Sequence, residues 1–123
     1  MNKVILLGRL VRDVEIRYTQ ATEPVAVCRF TVAVERHYSK NRKENEQTVD
    51  FINCIAFSKL GETINQHFHK GNKIALQGRL QVSSYTDKDG NKKYSNDVVV
   101  EDFEFVENKG VKNDSSGMAE GWK

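Results

Sequence analysis

The run TVDFINCIAFSKLGETINQHFH, residues 48–69, changes its period at the midpoint. Over residues 48–57 the side chains alternate as in a strand. Val49, Phe51, Asn53, Ile55 and Phe57 fall on one face, and Asp50, Ile52, Cys54 and Ala56 on the other. Both faces carry apolar groups, so one of them is expected to meet something other than the core, a ligand or a second subunit. From Ser58 onward Leu60, Ile64 and Phe68 recur every four positions, and this stripe predicts a helix over residues 58–69. Ser58 stands where an N-cap is wanted, and Gly71 where a left-handed residue ends a helix.

Strand signals surround this unit. Residues 4–11 are β-rich, with Gly8 marking a bulge or a close backbone approach, and Val14, Ile16 and Tyr18 alternate with polar partners. After a turn at 19–24, residues 25–35 form a long strand whose Ala26, Cys28, Phe30, Val32 and Val34 are the expected core face. Residues 37–47 read as a charged loop. Residues 73–85 follow as a strand with a bulge at Gly78, and Asp89-Gly90 predicts a hairpin turn into strands over 94–100 and 103–106. About five strands with one helix between the third and fourth is the order of a five-stranded OB-fold barrel, all-β but for that helix, closed at one end by it. On pattern alone a sandwich or another small barrel competes. The barrel domain is expected over residues 1–107, with 108–123, rich in Asn, Lys, Gly, Asp and Ser, as a disordered tail.

The length suits one domain. No stretch reaches the roughly 18 apolar residues of a membrane span, and the first ten residues read as a strand, not a signal peptide. Cys28 and Cys54 are too few for a disulfide scaffold or a zinc cage and read as reduced core thiols, which places the protein in the cytoplasm. Catalysis finds no support: there is no glycine-rich phosphate loop, and Asp50, Glu101 and Asp102 are scattered. His67 and His69, two apart on the predicted helix, face different directions and read as surface residues. Neither an enzyme nor a cofactor or metal is expected.

A net charge of +2 is too mild to name a nucleic-acid partner, so the distribution of charge decides. Arg36, Lys40, Arg42 and Lys43 surround Tyr38 in the first loop. Lys88, Lys92 and Lys93 flank the second hairpin, with Tyr85 at its base and Tyr94 on its return. Two basic hairpins bearing aromatic rings suit a single-strand binder, where cations follow phosphates and rings stack on bases. Charged hairpin tips serve solubility equally well, and core packing is the alternative for Phe51 and Phe57.

Residues 2–10 (NKVILLGRL) and 14–18 (VEIRY) resemble the opening of bacterial single-stranded DNA-binding proteins. Residues 51–54 (FINC) and 56–60 (AFSKL) resemble their third strand and helix start, and Lys70-Gly71, Gly78-Arg79-Leu80, Tyr85 and Val98-Val99-Val100 continue the match over about residues 1–106. The resemblance implies an OB barrel, a homotetramer around which single-stranded DNA wraps, and stacking at Tyr38, Phe51, Phe57 and Tyr85. Lys3, Arg17 and Lys59 match basic positions near the DNA track, whereas Ser83 and Ser84 stand where arginine is common. It also implies sequence-nonspecific coating in replication, recombination, repair or uptake. A primosome-type protein-interaction module is the alternative, and the preference for DNA over RNA rests on the resemblance. Replication members end in an acidic tip closing on Pro-Phe. The last residues here, 115–123 with Trp122, carry no acidic cluster, so a short paralogue or a truncated chain is expected, and enzyme recruitment through an acidic tail is in doubt.

Overall fold

Alternation along one strand sets the inside of the molecule. In β3 (Ala26–Glu35) Ala26, Cys28, Phe30 and Val32 are buried while Arg29 and Glu35 are exposed. In the computed structural model, which describes residues 1–37 and 47–106, β3 pairs antiparallel with β4 (Val49–Phe57) from Val27↔Phe57 to Glu35↔Val49. Directly opposed residues share a face. Cys28–Ala56, Phe30–Cys54 and Val32–Ile52 therefore point inward, and Val27–Phe57, Thr31–Asn53 and Ala33–Phe51 point outward.

β1 (Val4–Leu10) meets β3 at Arg9↔Ala33 and Leu10↔Val32, and β5 (Lys73–Thr86) from Val4↔Gly78 to Arg9↔Lys73. β6 (Lys92–Phe105) runs antiparallel to β5 and meets β4 in parallel at Cys54↔Val98 and Ile55↔Val99. The order β1-β5-β6-β4-β3 thus returns to β1, a closed ring of five strands, with β2 (Glu15–Tyr18) attached outside it along β3. The barrel expected from the element order is the one observed. Leu10, Cys28, Val32, Ile64 and Ile74 are the largest fully buried side chains at its centre.

α1 (Ser58–His67) follows β4 without a loop, which changes both of its expected ends. The N-cap is Phe57, the last strand residue, whose ring offers no acceptor. Ser58 is already in the helix, at φ 60°, and the N-cap makes no side-chain hydrogen bond. At the other end Phe68, 2% exposed, turns into the core and adopts an extended backbone, so the helix stops two residues early and His69 lies beyond it. Gly71 is left-handed, at φ 88°, but serves the next turn. There its N–H donates to the Leu10 carbonyl at 2.8 Å, and Asn72 Oδ1 accepts from the His69 N–H at 2.7 Å.

The two strands expected at 94–100 and 103–106 are one. Gln77 pairs with Asp102 and Gly78 with Val100, so Glu101 is passed over as a bulge and the strand continues. Gly78 makes this possible, since a Cβ there would stand 2.0 Å from the Val99 carbonyl oxygen. We expect Gly78→Ala to destabilise the fold by about 1–3 kcal/mol, the usual penalty for overpacking. Thermal unfolding would show it as a drop of several degrees in Tm. An unchanged Tm would mean that the bulge yields to a methyl group.

Candidate nucleic-acid interface

The outward face of β4 presents two rings. Phe51 is 64% exposed and Phe57 41%, although the barrel core is filled without either. On β5, Tyr85 is 56% exposed where the β5–β6 ribbon leaves the barrel, and on β6 Tyr94 is 66% exposed. The register pairs Tyr85 with Lys93 and Ser84 with Tyr94, so the two tyrosines look to opposite sides of the ribbon. Tyr94 enters a concavity of about 570 Å³ that Phe51, Asn53, Leu80 and Asn96 also line. The structure therefore brings Phe51 and Tyr94 into one groove and leaves Tyr85 on the far face. Tyr94, which at the level of sequence only flanked the hairpin, becomes a site candidate through this register. Counting parity outward from the Asp89-Gly90 turn is the signal that finds it.

The ribbon is held by its own turn. Thr86 pairs with Lys92, the Asp87 N–H donates to the Asn91 carbonyl at 2.9 Å, and Asp87 Oδ1 accepts from the N–H groups of Asp89 and Asn91 at 3.0 and 2.9 Å. Asp87 thus has a structural task, and its other oxygen lies 3.9 Å from Lys93 Nζ.

Carboxylates hold several of the expected phosphate contacts. Lys3 Nζ meets Glu101 at 2.9 Å and Arg17 Nη2 meets Glu15 at 2.9 Å. Arg36 grips Asp50 with two hydrogen bonds, Nε to Oδ2 at 3.0 Å and Nη2 to Oδ1 at 2.8 Å. The hydrogen bond from Arg36 holds the Asp50 carboxyl below the usual aspartate range. That from Arg17 does the same to Glu15, with added attraction from Arg17 itself, Arg29 and Arg12. Lys59 and Lys88 are exposed and form no ion pair among the described residues, and Lys92 lies with its Nζ 5.9 Å from the Tyr94 ring centre. Tyr38, Lys40, Arg42 and Lys43 fall outside the described residues, as does the expected tail at 108–123.

Little here invites chemistry. Cys54 is buried and its thiol is pushed up to about 12, first by burial and then by the nearby Asp97. His67, exposed, rests against the edge of Phe105. Among the described residues no group of three or more His, Cys, Asp or Glu side chains is placed to hold a metal ion.

A closed five-stranded barrel with a helix after its third ring strand, and with rings exposed on the face and ribbon beside it, belongs to the oligonucleotide-binding class of barrels. Residues 1–106 match the Single-strand binding protein family. The chain is similar to the single-stranded DNA-binding protein of Clostridium perfringens, 44% identical over 122 residues that cover 98% of this chain and 77% of the relative. It is likewise similar to that of Fusobacterium nucleatum, at 44% identity over 98% of this chain and 73% of the relative. A third relative, single-stranded DNA-binding protein 1 of Streptococcus pyogenes, is 38% identical over 98% of this chain and 89% of its own length. The chain belongs to the single-strand binding protein family.

The Arg36–Asp50 bridge gives a pH prediction. A carboxyl with a depressed folded pKa adds stability above the ordinary aspartate pKa and loses it as pH falls through the folded value. Carboxyl-carbon NMR of Asp50 should show a midpoint below that of a free aspartate, returning toward it in Arg36→Gln. An ordinary midpoint in the unmodified protein would mean that the bridge does not persist in solution.

Proposed function

We propose that this chain binds single-stranded DNA and coats it without catalysis or cofactor, holding phosphates electrostatically and stacking bases on exposed rings. One observation carries the reading: Phe51 lies largely open in a groove with Tyr94, on a barrel whose core is complete without either ring. A ring left in water is a poor use of apolar surface unless something covers it, and every base has a face to do so. Relatives at 38–44% identity, named as single-stranded DNA-binding proteins, support the same reading, and the family is named for binding and not for a reaction. Replication, recombination, repair or uptake are the processes that expose such a strand, which puts the protein beside DNA inside the cell.

Within this reading Phe51, Phe57, Tyr85 and Tyr94 are the stacking rings among the described residues. Lys59, Lys88 and Lys92 are the cations most ready for phosphate. Lys3, Arg17, Arg36 and Lys93 must loosen from Glu101, Glu15, Asp50 and Asp87 before they add much. Titration with oligo(dT) across salt concentrations, with duplex DNA as competitor, tests the whole. Tight binding, a modest negative salt slope and poor duplex competition are expected. Equal loss to duplex would reduce the basic hairpins to generic charge. Phe51→Ala and Tyr85→Ala should each weaken binding by about 1–3 kcal/mol, roughly 5- to 150-fold, and by more than any single Lys→Ala change at moderate salt. Negligible losses at both would remove the stacking mechanism.

A homo-oligomer, in the first instance a tetramer, also belongs to this proposal. The outward face of β1 shows Ile5 77% and Leu7 54% exposed, next to Ala75 on β5. Two large aliphatic side chains exposed one after the other on the same face of a strand fit burial against another copy. Sedimentation of the unmodified protein should give a multimer, and Ile5→Asp with Leu7→Asp a smaller species that still melts cooperatively. A monomer before mutation would end the oligomer reading.

A further inference from the structure

Beside the rings lies a pocket of different character. Its volume is about 240 Å³, below the roughly 300–1,000 Å³ of drug-sized sites and suited to one base. Arg12 and Arg29 line it, together with Asp13, Glu15 and Asp97. Two guanidiniums set against three carboxylates do not make a phosphate site, which needs net positive charge. Such a lining offers hydrogen-bond donors and acceptors side by side, which is what the edge of a base needs.

The partners already taken narrow the choice. Asp13 Oδ1 accepts from the Lys70 N–H at 2.9 Å, and Glu15 holds Arg17. The side chains of Arg12, Arg29 and Asp97 form no hydrogen bond or ion pair among the described residues, and Asp97 is half-buried. Asn53 also lines the pocket. Its Oδ1 accepts from Thr31 Oγ1 at 2.9 Å, which fixes the amide and leaves Nδ2 free to donate. Asn53 stands two residues from Phe51 on the same face of β4, about 7 Å along the strand. A nucleotide next to one stacked on Phe51 would therefore reach the pocket.

Only guanine presents two adjacent N–H donors, N1–H and the N2 amino group, for a carboxylate to accept together, and on its other edge O6 and N7 accept from a guanidinium. The geometry points to a guanine-preferring subsite in which Asp97 accepts from N1–H and N2–H while Arg29 donates to O6 and N7, giving an otherwise sequence-tolerant binder one position of preference. This inference rests on single-strand binding itself.

The test compares oligo(dT) with the same oligomer carrying one central dG, dA or dC, by fluorescence anisotropy at fixed salt. The dG oligomer should bind at least about fivefold more tightly than the other three, the low end for one bidentate contact. Replacing dG by deoxyinosine, which lacks the N2 amino group, should remove most of the gain, and 7-deaza-dG part of it. Asp97→Asn should abolish the preference while leaving oligo(dT) affinity within about twofold, which also shows that the variant is folded. If all four oligomers bind alike, or deoxyinosine matches dG, the subsite is wrong while single-strand binding stands. If oligo(dT) itself does not bind, the parent reading fails and takes the subsite with it.

Discussion

Two short seams hold the barrel shut, and everything else depends on them. β1 pairs with β3 only at Arg9–Ala33 and Leu10–Val32, and β4 with β6 only at Cys54–Val98 and Ile55–Val99. So few pairings carry little hydrogen-bond stabilisation by themselves, since each net bond contributes about 1 kcal/mol. The interior makes up the difference: Leu10, Val32, Cys54 and Val98, one from each seam strand, are all within 2% of full burial. Closure is thus chiefly hydrophobic, with Phe68 and Ile64 filling the end beneath the helix.

A core completed in this way releases the outer face for other work. Phe51 and Phe57 share their strand parity with Ile55, yet Ile55 is only 6% exposed because it lies in the parallel seam beside Val99. The rings on either side of that seam stay open. The barrel therefore sorts one apolar stripe into a buried middle and two exposed ends.

The charges follow a similar division of labour. Several acidic residues have local tasks: Asp87 holds the hairpin turn, Asp50 anchors Arg36, and Asp13 ties the β1–β2 connection to the Lys70 backbone. Arg36 and Lys93, which Asp50 and Asp87 engage, are kept in place and partly neutralised. Of the expected phosphate contacts among the described residues, Lys59, Lys88 and Lys92 form no ion pair with a carboxylate, and they sit at the helix start and around the hairpin. Exposed pairs of this kind are weak, so a polyanion with many phosphates competes with them at small energetic loss.

Much of the fold was legible from residue order alone, because periodicity is a local property. The inward face of β3, the switch from strand to helix after Phe57, the bulge at Gly78 and the Asp-Gly turn all rest on neighbouring residues, and all appear in the structure. The helix ends were misjudged because they depend on distant partners: no loop separates the helix from β4, and Phe68 is drawn into a core built by other strands. The site divides in the same way. That Phe51, Phe57 and Tyr85 are aromatic and lie on strands is written in the sequence. Which rings share a groove, which cations are already held, and that residues as far apart as Arg12, Arg29, Asn53 and Asp97 line one pocket were decided only when the ring closed. Cross-strand register is a joint property of all five strands, and no stretch of the chain carries it alone.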